Sequence, residues 1–370
     1  MKKNVVLVFI LVLNLIFLSC STDEEDNATP SKYFFKRYGG DSEDEGFSLQ
    51  QTEDGGFIIT GITYSSSTKS RDLWLLKTDS LGSILFDKTI GGTSSDWGMS
   101  IIKNENKGYF IAGHTSSYGA GSYDYLLVKT DLLGNVEWKK TYGGPDMDWN
   151  YRECTFQQTN DKGFIFVGSS ESYSSGSFDI WVIKTDSLGL FQWDNKFGGE
   201  TREDGWSVVQ TNDDGYIITG GQGGAWLIKL DSQGNEVWNK KIDVSFASNQ
   251  IIKDIDYGYL LLAGNSLIKV DNAGEEKWRK TIEIDGFAIE KTLPDGFIIT
   301  GWINKEVALM KLDSEKEIEW QKSYEIDGGW PRSVKQTYDY GYAVTGKVDI
   351  GSNYNDLFLL RTDENGNIDE

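Results

Sequence analysis

Lys129-Thr130-Asp131-Leu132-Leu133-Gly134-Asn135-Val136-Glu137-Trp138 decides how the rest of the chain is read. An apolar stretch ends in a basic residue, a spacer and an aspartate. A glycine follows three residues on, and an aromatic ring four beyond that. The basic-x-Asp signature also stands at Lys77-Thr78-Asp79, Lys184-Thr185-Asp186, Lys229-Leu230-Asp231, Lys269-Val270-Asp271, Lys311-Leu312-Asp313 and Arg361-Thr362-Asp363, at spacings of 40 to 55 residues. A second signature, a glycine followed by a short apolar run and another glycine, begins at Gly56, Gly108, Gly163, Gly215, Gly258, Gly296 and Gly341. Both occur seven times. Periods of this length mark propeller blades or solenoid turns, whose repeats bury their apolar faces only against one another.

Each repeat predicts four strands, a to d. In the first, Phe47 to Gln51 is strand a, Phe57 to Thr60 strand b and Asp72 to Lys77 strand c. Strand d is clearest in the second repeat, from Asn135 to Tyr142. Strands b and c are apolar on both sides, as in sheets covered on both faces. Strand d alternates, and its charged side suits an exposed edge. The seventh repeat stops at Glu370, where the others place Phe86, Trp138, Trp193, Trp238, Trp278 or Trp320. Phe34-Phe35-Lys36-Arg37-Tyr38-Gly39-Gly40 supplies the missing strand, because it aligns with Trp138 to Gly144. The expectation is an all-β, seven-bladed β-propeller of four-stranded antiparallel blades over residues 33–370, its N-terminal strand closing the last blade.

Two resemblances attach to these motifs. The Asp-x-x-Gly-x-x-x-Trp core at Asp131 to Trp138 looks like the repeat of PQQ-type, quinoprotein-like propellers. That family's dehydrogenases have eight blades and a vicinal disulfide. This chain has seven repeats and, beyond Cys20, only Cys154. The likeness therefore implies the scaffold and no PQQ, and no cofactor is expected. Ser42-x-Asp44-x-Gly46-x-Ser48 and Ser94-x-Asp96-x-Gly98-x-Ser100 resemble the Asp-box of sialidase-like propellers without its final aromatic; an Asp-box is a structural turn and implies no activity.

The start of the chain sets an address. Lys2 and Lys3 precede an apolar run from Val5 to Leu18, short for a transmembrane helix and suited to a secretory signal. Phe17-Leu18-Ser19-Cys20 resembles a bacterial lipobox, which implies residues 1–19 as signal peptide and Cys20 as the acylated N-terminus. Residues 20–32 are polar, with four consecutive acids from Asp23 to Asp26, a composition that reads as a tether. The acidic cluster also resembles the surface-export signal of Bacteroidetes lipoproteins. A plain solvated linker has the same composition, so a lipid-anchored outer-membrane protein facing either the cell surface or the periplasm is the resulting expectation.

Charge and topology bound the partners. A net charge of −21 repels nucleic acid and anionic lipid headgroups. A membrane contact is therefore expected through the anchor alone, and a glycan or protein is the expected ligand. The a–b and c–d turns share one face and are short Asp-Gly hairpins. The b–c loops and the d–a connections share the other face. Its b–c loops are long in repeats one, two, three and seven, which are consecutive around a ring, and carry Tyr64, Tyr118, Tyr123, Tyr173, Phe178 and Tyr354. Its d–a connections carry Asp96, Trp97, Asp148, Trp149 and Trp330. Aromatic faces stack on sugar C–H groups and carboxylates accept hydroxyl hydrogens, so these eleven residues are the candidate ligand contacts.

Other residues read as structural. Trp206 aligns with Phe47, Met99, Cys154 and Phe287 as core, with Cys154 a buried filler. Asp72, Asp124, Asp179 and Asp356 precede strand c and read as turn caps. His114, the single histidine, reads as loop variation, so neither a catalytic residue nor a metal site is expected. A binding or scaffolding module is the expected function. The alternative is a glycoside hydrolase using two carboxylates of the same face.

Overall fold

The repeat signature is a set of local clamps. The computed structural model describes residues 31–64, 70–105, 107–150, 155–174, 176–221, 224–244, 250–351 and 354–369. The chain divides into two units, Met1–Ser31 and Lys32–Glu370, and the strands belong to the second. At the end of strand c the ammonium of Lys77 donates to the Asp54 carboxylate and to the Thr78 carbonyl, both at 2.8 Å. Lys184 makes the same pair of bonds to Asp161 and Thr185, and Lys229 to Asp213 and Leu230. Each lysine thereby ties an a–b turn to the end of strand c. The signature aspartate caps the c–d turn: Asp79 accepts from the amides of Leu81 and Ser83, and Asp131 from those of Leu133 and Asn135.

The turn glycine and the strand-d aromatic join neighbouring repeats. Gly82 has φ +76°, and a Cβ there would stand 2.7 Å from the Phe34 ring. In the same way Phe86 lies on Gly134, Trp138 on Gly189, Trp193 on Gly234, Trp238 on Gly274 and Trp320 on Gly366. The hydroxyls of Tyr38, Tyr142 and Tyr324 donate to the carbonyls of Gly82, Gly189 and Gly366 at 2.6–2.8 Å.

The strands form six sheets among the described residues. The first runs Asp44–Gln51, Phe57–Thr63, Asp72–Thr78 and Ile84–Ile90, inside to outside. Its two middle strands are buried throughout, and its outer strand alternates. Four further sheets are also four-stranded. The remaining sheet has six strands: Gln250–Lys253, Tyr259–Val270, Glu276–Lys291, Phe297–Ile303, Glu306–Leu312 and Ile318–Tyr324.

The seven-bladed expectation is therefore corrected to a propeller of six blades, because repeats five and six share one sheet. The cause lies in the connection between them. A Gly-Gly pair ends the outer strand at Gly39-Gly40, Gly91-Gly92, Gly143-Gly144 and Gly198-Gly199; repeat four has none after Ile242 and still breaks there, and repeat six carries its pair later, at Gly328-Gly329. From Thr281 to Asp285 there is no such break, and Glu276–Lys291 continues as a single 16-residue strand.

Closure of the ring follows the expected route. Phe34–Tyr38 pairs antiparallel with Asn355–Thr362, in register from Phe34↔Arg361 to Tyr38↔Leu357. The innermost strands are linked around the axis by glutamines. Gln51, Gln157, Gln210, Gln250 and Gln336 each accept, through Oε1, a backbone amide of a neighbouring repeat at 2.6–2.9 Å. The predicted strands recur with small extensions, strand a from Asp44 and strand b to Thr63. No helix among the described residues is long and apolar enough to cross a membrane. The signal peptide, Cys20 and Cys154 lie outside the described residues.

Candidate functional site

The d–a connections are built from the glycine pair and an acid four residues on. Asp44, Asp96, Asp148 and Glu203 accept from the amides of Gly40, Gly92, Gly144 and Gly199 at 2.7–3.1 Å. Asp96 and Asp148 are fully buried. Asp96 also accepts from Thr115 and from Ser117, the latter at 2.7 Å; Asp148 accepts from Ser170 and from Ser172, the latter at 2.8 Å. Burial pushes the Asp96 carboxyl above its ordinary value, against those donors and with help from nearby Asp72. Both candidate carboxylates thus hold loops and do not face solvent.

Strand a begins with a bulge that turns side chains toward the channel mouth. The register with strand b skips one residue in five repeats, at Phe47, Met99, Trp206, Phe287 and Arg332. Phe47 and Met99 are buried, as expected; Trp206 and Phe287 are half-buried.

Around this mouth lies an arc of rings. Trp97 packs on Phe47 at 6.1 Å and edge-on to Trp149 at 6.3 Å. Trp149 stacks on Tyr123 at 5.2 Å. The Arg71 guanidinium lies 5.3 Å from the Trp97 ring centre and is paired with Glu43. Arg332 bridges to a second group, 5.4 Å from Phe47 and 5.3 Å from Trp330, and pairs with Glu45 at 2.8 Å. Trp330 packs against Trp302 at 4.4 Å and Phe287 at 5.5 Å. Below the mouth the channel is a cavity of 190 Å³ lined by the innermost strands, with Glu290 and Lys335 paired across it.

The structure thus joins Tyr123, Trp97 and Trp149, and places Trp330 on the far side of Arg332. The other candidates stand apart. Tyr118 and Tyr173 donate to the carbonyls of Gly91 and Gly143, strapping the d–a connections, and each ring is covered by a lysine, Lys139 or Lys196. Phe178 is buried under Arg202. Tyr64 and Tyr354 are exposed. His114 is not loop variation: it lies inside the strand Tyr109–Thr115, fully buried, 4.9 Å from the Tyr125 ring and 6.3 Å from Trp149. Burial drives its pKa down to about 3 against a bond with the Asn150 backbone, so the ring under the arc is neutral.

Sequence reading missed Arg71 and Glu43, paired within repeat one 28 residues apart, and Arg332 and Glu45, paired between repeats seven and one; neither pairing leaves a local motif. It also missed a recess of 370 Å³ in repeat four, where the loops are short, lined by Trp226, Glu203 and Asp243 with Lys241 over the indole. Among the described residues no group of three or more acidic, histidine or cysteine side chains could hold a metal ion.

No family model matches the sequence, and no curated protein matches it. Solved structures share its fold. The chain is similar to a streptogramin B lyase, with TM-score 0.58 and 11% identity over 89% of this chain and 98% of that one. It is similar to virginiamycin B lyase from Staphylococcus aureus, with TM-score 0.58 and 11% identity over 89% and 99%. It is also similar to BBS1N, solved in complex with ARL6DN, with TM-score 0.55 and 10% identity over 90% and 97%. At such identities the likeness is one of architecture, and the architecture is the β-propeller.

Proposed function

We propose that the protein is a lipid-anchored envelope module, held at the outer membrane through Cys20 and exposed at the cell surface, that binds a glycan at the channel mouth. The observation that carries this is the arc of Tyr123, Trp149 and Trp97, half-buried rings held in place by packing and by Arg71. Fixed indole and phenol faces offer a sugar ring large contact area at small entropic cost. Arg71–Glu43 and Arg332–Glu45 supply donors and acceptors at the edge of the arc. Hydrolysis asks for two carboxylates facing each other across an open cleft. Asp96 and Asp148 are instead buried and bonded to loops, which favours binding without turnover. BBS1N was solved in complex with ARL6DN, and a protein ligand is the competing outcome.

The test is a glycan array probed with residues 21–370, followed by calorimetry on the best ligand. Trp149→Ala and Trp97→Ala should each weaken binding about tenfold to a hundredfold, the usual loss for a central aromatic anchor. Unchanged affinity in both variants, or capture of protein ligands and no glycan, would remove the reading.

A further inference from the structure

The chain enters the propeller on the face opposite the arc. Phe34 pairs with Arg361, where the strand Asn355–Thr362 runs into its c–d turn. Lys36 donates to the Leu81 carbonyl at 2.6 Å, Tyr33 accepts from the Asp369 amide, and Lys32 pairs with Asp339. Residue 32 therefore sits on the face of the a–b and c–d turns, beside the c–d turn of repeat one.

From that turn onward the rim is apolar. Ile84 and Leu85 are exposed in repeat one, Leu132 and Leu133 in repeat two, and Leu188 and Phe191 in repeat three. Leu133 is 66% and Leu188 61% exposed, so neither packs the core. The docking of Phe86 on Gly134 and of Trp138 on Gly189 places these turns side by side around the edge. The corresponding stretches 232–237, 272–277, 314–319 and 364–369 are mainly polar or charged, and their exposed large apolar side chains are single ones, Val237 and Ile318, where repeats one to three carry pairs. A contiguous exposed apolar patch marks a contact with protein or membrane.

The path of the chain selects the membrane. Residues 20 to 32 span at most about 40 Å at full extension, so an acyl group on Cys20 brings a bilayer within reach of this face and no other surface as readily. We infer that the apolar rim of repeats one to three rests on the lipid surface, its leucine, isoleucine and phenylalanine side chains at the headgroup–acyl boundary. This contact rests on acylation of Cys20. The acidic stretches of repeats five to seven tilt away from anionic headgroups, which brings the apolar sector down. A tethered domain acts at high effective concentration, so a contact too weak to recruit a free protein holds an anchored one. The arc of rings then faces away from the membrane.

Hydrogen exchange on the lipidated chain in phosphatidylethanolamine–phosphatidylglycerol vesicles tests this, with mass measurement of the N-terminal peptide reporting acylation. Amides of 80–85, 131–136 and 187–191 should exchange several-fold more slowly on vesicles than off them, and those of 231–236 and 363–367 should not. Leu133→Glu with Leu188→Glu should abolish the slowing while the protein still sediments with vesicles and melts unchanged. If Cys20 proves unmodified, residues 21–370 with an N-terminal hexahistidine tag on nickel-chelating lipid replace the anchor, and the same slowing is expected. Unslowed turns in either vesicle-bound form overturn the inference. So does slowing that appears without vesicles and grows with protein concentration, which would assign the rim to a second copy.

Discussion

At the residue scale, His114 shows how burial converts one side chain into a pH liability. The folded chain keeps its imidazole neutral down to about pH 3, because burial excludes the cation. An unfolded chain protonates it near pH 6.5. The unfolded state therefore binds the extra proton first, and stability falls as pH drops below 6.5 and is unaffected above it. Asp54, held down to about 2 by Lys77, Thr52 and the Gly56 amide against its desolvation, contributes only once pH passes below its ordinary 3.8. Between pH 6.5 and 4 the histidine should thus be separable. His114→Gln should remove about 3 kcal/mol of pH-dependent stability across that window, read as the difference in urea midpoints between variant and parent. Equal slopes in the two proteins would mean that the ring is not held neutral in the fold.

At the element scale, the join between repeats five and six depends on one buried carboxylate. Asp254 has no exposed side-chain surface and pairs with both Lys269 and Lys316, the latter at 3.1 Å. Lys316 stands where other repeats place the turn glycine and reaches back from repeat six to repeat five. Asp254→Ala would leave the Lys269 ammonium short of its anion and Lys316 with Asp256 alone, at 3.0 Å, and should cost about 3 kcal/mol in urea unfolding. A loss below about 1 kcal/mol would show that the lysines find other partners. The strands themselves were legible because Lys77, Asp79, Gly82 and Phe86 each do a local job with a fixed spacing. The fusion of two repeats was less legible, since it rests on the unbroken strand Glu276–Lys291 and on Lys316 reaching Asp256, 60 residues away in the chain. The aromatic arc was half legible. Trp97, at the start of strand a, and Trp149, in a d–a connection, stand in stretches that look unusual, whereas the bulges at Phe47 and Arg332 and the burial of Asp96 depend on cross-strand register.

At the scale of the whole molecule, the ring is sealed by the five residues Phe34–Tyr38. A chain that begins at residue 39 lacks that strand. It leaves the ladder of Asn355–Thr362 open and the c–d turn of repeat one without its Phe34 and Tyr38 contacts. An open edge of this kind pairs with other chains. The truncated protein should melt at lower temperature and elute as dimers or larger species, while a chain beginning at residue 31 remains a monomer. A monomeric truncated chain with an unchanged melt would show that closure contributes little.

The same strand decides how force would pass through the protein. It starts on the turn face and runs toward the face that carries the aromatic arc, antiparallel to its partner. Tension applied between residue 34 and the opposite face acts along the strand axis. The ladder bonds of residues 34–38 would then be loaded together, in shear, instead of being unzipped one by one. A sealing strand loaded in this way is thus also a mechanical mooring, strongest along its own axis.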